Sequence, residues 1–246
     1  MTRTHRRRHW ILAAALLAAL CALLTAQPAL ADTATFSNPN SSNAHALDEI
    51  YRAILGVTVT IFVLVGGWLV YSAIRFRARP GQVYPEPPQV HGSTRLEIGW
   101  TIVPVLILVG LSAFTFYKLP SVSDVPKGAM EISVTAQQYG FVYTYPDGKH
   151  PASADTNTLV VPVGVPIHLS LQSKDVIHDW WVEQLGQKTD VIPGRTTHTW
   201  FSAERTGTYY GQCAEFCGPG HATMLIIVKV LSKQDFDSYM AMKAQA

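Results

Sequence analysis

The chain changes its hydrophobic rhythm partway along. Ala53–Ile74 and Ile98–Tyr117 run 22 and 20 residues without a charge, and about 20 apolar residues suffice for a helix to cross the hydrocarbon core of a bilayer. From about Gly128 to Ser232 the rhythm becomes short and alternating. Apolar or alternating runs fall at 130–135, 139–145, 158–163, 165–172, 177–182, 197–201, 207–210 and 224–231. Pro146-Asp147-Gly148, Val163-Gly164 and Pro193-Gly194 mark turns between them. So many short strands in about 105 residues predict a Greek-key sandwich or barrel. A short terminal helix follows over 233–246, with Ser232 as its cap and Asp235 in its first turn.

The ends and joints complete this division. Residues 1–31 read as an export signal: Arg3, Arg6, Arg7 and Arg8, an apolar run from Trp10 to Ala26, and Ala29-Leu30-Ala31 as a cleavage site. Cys21 is apolar filler within it. Residues 32–50, rich in Ser, Asn and Ala, read as a flexible exported N-terminus. Residues 51–119 then hold the two membrane helices, about 53–74 and 98–117, and 120–232 the β domain. Arg75, Arg77, Arg79 and Arg95 lie between or beside the spans and mark their loop as cytoplasmic, so both chain ends face the exported side. Composition agrees, with 48% hydrophobic and 15% charged residues. Without the leader the formal charge of +2 falls to about −2, and nucleic-acid binding has no electrostatic support.

The chemistry is concentrated in Gly211–Met224. Cys213, Cys217, His221 and Met224 form C-x3-C-x3-H-x2-M, and His178 lies 35 residues before Cys213. Sulfur and imidazole donors select copper, iron–sulfur clusters or zinc over hard cations, and a thioether points to copper. Four arrangements fit these residues. Cys213 and Cys217 could form a disulfide in an exported chain. Cys2His2 could hold zinc. One Cys, two His and Met could hold one copper, or both sulfurs could bridge a pair.

Beyond the run from Cys213 to Met224, three further stretches carry a resemblance. These are Val176-Ile177-His178-Asp179-Trp180, Lys188-Thr189-Asp190-Val191-Ile192-Pro193-Gly194-Arg195, and His91 to Pro104 at the start of the second span. Together they resemble the cytochrome c oxidase subunit II family, the electron-accepting subunit of haem–copper terminal oxidases. The resemblance implies a two-helix transmembrane hairpin plus an all-β cupredoxin-like Greek-key domain. It further implies a bacterial inner membrane location, with 120–232 on the periplasmic side. A dinuclear copper A centre is implied, bridged by Cys213 and Cys217, with His178 and His221 each on one copper. Met224 and the Glu215 carbonyl would be weak outer ligands, and the Glu215 side chain would reach a magnesium ion shared with subunit I. Lys188, Asp190 and Arg195 would lie toward the haem-propionate region of subunit I, and Glu97 at the cytoplasmic mouth of a proton pathway. The implied partners are subunit I, other oxidase subunits, cytochrome c and the membrane.

The family pattern is not followed everywhere. Tyr139 stands where the family has the Trp at which electrons arrive from cytochrome c, and Gly140 removes a neighbouring aromatic. Glu183 and Leu225 stand where Pro is usual. Two other functions compete: the structural subunit of a quinol oxidase, whose counterparts lack the Cys pair and His set, and a membrane-anchored copper-binding protein, which leaves Glu97 and the helix hairpin unexplained.

Overall fold

The structure is a computed structural model that describes residues 38–78, 81, 86, 88–89, 91–146, 151–152 and 157–243. The leader expected over 1–31, residues 32–37 of the N-terminus and part of the loop between the spans lie outside the described residues.

Helix α1 covers Ser42–Arg75 and α2 covers Thr94–Ser123. At a 1.5 Å rise they are about 51 and 45 Å long, against about 30 Å of hydrocarbon. Both are long and apolar enough to cross a membrane. Phe62, Trp68, Leu106 and Phe116 stand exposed along them, as lipid-facing residues would. Pro104 and Pro120 lie within α2 without ending it.

The excess length of α1 explains a correction at the N-terminus. Of the N-terminus expected to be flexible over 32–50, residues 42–50 are helical, with Asn43, Ala44, Ala46 and Asp48 buried. Asn43 donates from Nδ2 to the Trp200 carbonyl at 2.6 Å, and the Ser202 N–H donates to Ser41 Oγ at 2.9 Å. The Asn40 N–H reaches the Gln184 carbonyl at 2.7 Å, and Arg205 Nε donates to Asn40 Oδ1 at 2.9 Å. The polar composition that suggests a loose segment here supplies hydrogen bonds to otherwise unsatisfied backbone groups. At the end of α2, Trp200 Nε1 donates to the Val122 carbonyl at 2.9 Å. An ion pair joins Lys118 of α2 to Glu49 of α1.

The β domain contains β1 (Met130–Gln137), β2 (Gly140–Thr144), β3 (Pro151–Ala152), β4 (Thr158–Pro162), β5 (Ile167–Ser173), β6 (His178–Trp181), β7 (Thr189–Val191), β8 (Thr197–Phe201), β9 (Gly207–Cys213) and β10 (Leu225–Leu231). They form two five-stranded sheets, ordered β3-β2-β1-β5-β8 and β4-β10-β9-β6-β7. The β1/β5 and β4/β10 pairs are parallel and the others antiparallel. Alternating residues fill the space between the sheets: Ile132, Val134 and Ala136 from β1, Ile167, Leu169 and Leu171 from β5, and Ile226, Val228 and Val230 from β10. β4 is buried on both faces. Helix α3 (Lys233–Lys243) accounts for the outer one, with Phe236 beside Tyr145 at 6.4 Å between ring centres. The Asp235 N–H donates to Ser232 Oγ at 3.1 Å, and Ser232 Oγ donates back to Asp235 Oδ2 at 2.6 Å, capping α3 as expected.

Candidate metal centre

The second sheet carries the sulfur and imidazole donors. His178 opens β6 and Cys213 closes the neighbouring β9, where Trp180 pairs with Cys213. The chain then loops out and returns as β10. A Cys213 N–H bond to the Met224 carbonyl at 2.9 Å closes the neck of this loop. A 3-10 turn at His221–Thr223, begun by the His221 N–H bond to the Gly218 carbonyl at 3.0 Å, folds the loop back onto Cys213.

The donors therefore converge. Cys213 Sγ and Cys217 Sγ lie 3.8 Å apart. His178 Nδ1 is 3.9 Å from Cys213 Sγ, and His221 Nδ1 is 3.6 Å from Cys217 Sγ. Met224 Sδ is 3.8 Å from Cys217 Sγ, and the Glu215 carbonyl oxygen is 3.2 Å from Cys213 Sγ. His178, Cys213 and Cys217 are buried with their ligand atoms within 4.8 Å of one another. Both cysteines are free thiols, and their separation far exceeds a disulfide bond. It is also less than twice a metal–thiolate bond of about 2.3 Å, so one metal ion can touch both sulfurs. Burial, then the neighbouring Cys213 sulfur, pushes the Cys217 thiol up to about 11. Two adjacent buried thiolates need a cation, and the donor set supplies ligands for soft metals such as copper.

Residues around the donors fix their orientation. His178 Nε2 donates to Asp175 Oδ1 at 2.8 Å, leaving Nδ1 to face Cys213. Burial disfavours the Asp175 carboxylate. Hydrogen bonds from His178, the Gln138 N–H and the Val176 N–H overcome that and hold it at about 2. Gln138 also donates from Nε2 to the Cys217 carbonyl at 2.7 Å. Phe141 presents its ring edgewise to His178, with centres 6.4 Å apart. The Asp179 N–H lies 3.5 Å from Cys213 Sγ, while its carboxyl is buried with Oδ1 unpaired. Burial, then Asp190 across the β6/β7 pair, raises that carboxyl to about 7. Asp175 and Gln138 lack any sequence signal as site residues beyond their nearness to His178 and Tyr139, and Asp179 is marked only as a member of the Val176–Trp180 stretch.

The other residues singled out by sequence occupy distinct places. Tyr139 is partly exposed, and its ring lies on the loop carrying Cys217 and His221. A Cβ at Gly220 would fall 2.6 Å from that ring. Val176, Ile177 and Phe216 are exposed beside the donors in sequence, and Phe216 meets His221 edge to face. The Glu215 side chain is exposed. Lys188 stands over the Trp181 ring with Nζ 4.5 Å from its centre. Asp190 pairs with Asp179 in the ladder, and Arg195 is exposed in the turn after Gly194. Glu97 is elsewhere. It lies in the first turn of α2, about 38 Å by helical rise from the end that meets Trp200.

Comparisons with known proteins place the chain in a family. The sequence model of the cytochrome c oxidase subunit II periplasmic domain matches residues 146–231, and that of its transmembrane domain matches residues 29–118. A probable cytochrome c oxidase subunit 2 of Rickettsia bellii is 32% identical over 227 residues, covering 85% of this chain and 83% of that protein. A quinol oxidase subunit 2 of Bacillus cereus is 34% identical over 172 residues, covering 68% of this chain and 58% of that protein. Among solved structures, the periplasmic domain of subunit II of cytochrome oxidase of Bradyrhizobium japonicum is similar at 35% identity. It covers 49% of this chain and 97% of that one, with a TM-score of 0.45.

Proposed function

Because the chain belongs to the cytochrome c oxidase subunit II family, a family of membrane-bound terminal oxidase subunits, we propose that it accepts electrons from cytochrome c at a dinuclear copper A centre and passes them to haem in subunit I, where oxygen is reduced. One observation carries this reading: two free buried thiols 3.8 Å apart, flanked by His178, His221 and Met224. Copper held there would supply a one-electron redox couple. The chain's own residues prepare the site for it. The β9–β10 neck and the 3-10 turn hold the loop donors, and Asp175 orients His178 from behind. Gln138 ties the Cys217 carbonyl to the end of β1. Tyr139 and Phe216 lie against the loop that carries Cys217 and His221 and, with exposed Val176 and Ile177, would offer apolar contacts to the donor protein.

The exposed Glu215 side chain is free to reach magnesium shared with subunit I, a hard cation suited to carboxylate. Lys188, Asp190 and Arg195 would contact subunit I, and Glu97 would stand at the cytoplasmic mouth of a proton pathway. Arg75, Arg77 and Arg95 at the helix ends away from the β domain favour a cytoplasmic loop. The β domain would then lie on the periplasmic side of a bacterial inner membrane. A copper-free structural subunit would have no need of this complete donor set, which favours copper.

Electron paramagnetic resonance of the copper-loaded full-length chain tests this. One electron shared equally by two copper nuclei of spin three-halves gives seven hyperfine lines, which Cys217→Ser should abolish while the chain stays folded. A four-line mononuclear signal from the unaltered chain, or two coppers and an unchanged spectrum in Cys217→Ser, would refute the bridged centre.

A further inference from the structure

A second group of metal-ligating side chains lies on the other sheet, facing away from the core. Along β5, Ile167, Leu169 and Leu171 point inward, so His168 and Ser170 point out. The ladder places Glu131 of β1 beside His168, and His198 of β8 beside Ser170. His168 Nδ1 contacts Glu131 Oε2 at 2.6 Å, and His168 Nε2 lies 3.2 Å from His198 Nδ1. The two imidazole rings are 5.1 Å apart between centres and inclined by 31°. Ser170 Oγ donates to Glu131 Oε1 and lies 3.4 Å from His198 Nδ1. The donors of the sulfur site all come from the second sheet and its β9–β10 loop, so the two clusters share no residue.

Each partner of His168 has a chemical consequence. A carboxylate accepts from Nδ1–H, which fixes the tautomer and leaves the Nε2 lone pair aimed at His198. A carboxylate behind a histidine in this way is the usual support of a metal-bound imidazole. The spacing of the facing nitrogens is also informative. Two imidazoles bound to one zinc ion at 2.0–2.1 Å and a tetrahedral angle have nitrogens about 3.3–3.4 Å apart. A square-planar ion at about 2.0 Å would need about 2.8 Å. The 3.2 Å between them is that of a hydrogen bond, and reaching the tetrahedral value needs a shift of only about 0.1–0.2 Å.

We propose that His168 and His198 form a binding site for zinc(II) on the outer face of the first sheet, with Glu131 supporting His168 and solvent completing the coordination. The site links β5 to β8 next to Trp200, the residue to which both membrane helices are tied. Glu131 acts through His168 and is a positioning residue.

The test is zinc titration of the full-length chain in detergent, with copper already bound so that the sulfur site is filled. Calorimetry and equilibrium dialysis should find one zinc per chain beyond the copper. His168→Gln and His198→Gln should each abolish this uptake, and Glu131→Gln should weaken it by about 10–100-fold. Cobalt(II) at the same site should give the intense visible absorption of tetrahedral coordination, lost in the same variants. An unchanged copper spectrum and far-ultraviolet circular dichroism in each variant would show that the fold and sulfur site persist. No zinc uptake by the unaltered chain, or equal uptake by the His168→Gln/His198→Gln double variant, would overturn the proposal.

Discussion

Asp175 is held on three sides, by His178 Nε2 and by the N–H groups of Gln138 and Val176. Its work is to fix the ring orientation of His178, so Asp175→Asn should leave the chain folded but cost about 10–100-fold in copper affinity. Competition with a chelator of known affinity measures this, and equal affinity would make Asp175 irrelevant to the centre. Asp179 acts in the opposite sense, because its folded pKa of about 7 lies above the ordinary carboxylate value. The folded chain then holds a proton that the unfolded chain releases at lower pH. Stability of the metal-free chain is therefore unpenalised below about pH 4, falls as pH rises toward 7, and levels off above it. Asp179→Asn should remove that slope, and denaturant titrations at several pH values should show it. A slope unchanged in the variant would place its origin elsewhere.

Elements, unlike these side chains, owe their boundaries to their neighbours. Asn43 is fully buried in the first turn of α1, and its bond to the Trp200 carbonyl ties that helix to β8. Asn43→Ala leaves the carbonyl unsatisfied, at a cost of about 1–3 kcal/mol. Hydrogen exchange should quicken over residues 42–48 and stay slow over 56–70, whereas unchanged exchange would mean that the docking does not depend on this bond. No local signal announces this contact, since Asn40, Ser41 and Asn43 look like loop residues until Trp200 and Arg205 are brought beside them. The spans and most strands were legible because their periods of burial persist over several residues. β7 was not, because three residues are too few to show alternation. β4 appears as an apolar run, but the reason for its double burial is α3, some 70 residues later. The sulfur donors were legible because one loop carries most of them. Asp175 and Gln138 were not, since each is a common polar residue whose role comes only from the orientation of His178 or Cys217.

At the scale of the whole molecule, the chain from Pro120 to its end carries nine basic and twelve acidic residues. A basic cytochrome should therefore associate more slowly as salt shortens the screening length to about 8–10 Å and below. Tyr139→Ala should act separately, because it removes an aromatic contact above the Cys217–His221 loop. A loss of about 1.4–2 kcal/mol in docking, roughly 10- to 30-fold in the second-order rate, is expected with copper content unchanged. Stopped-flow reduction at several ionic strengths separates the two effects. A wild-type rate in Tyr139→Ala would move the arrival point elsewhere, and a flat salt response would point to an apolar or tethered donor. The two ties to Trp200, from Asn43 at the start of α1 and from Val122 at the end of α2, have a mechanical consequence. A domain on one flexible stalk would swivel, and each encounter with a neighbouring subunit would have to arrest that rotation. Braced at two separate helix ends, this one keeps its height and heading while the helices diffuse in the plane of the bilayer. Much of the orientational entropy of assembly is thereby lost during folding, before any partner arrives.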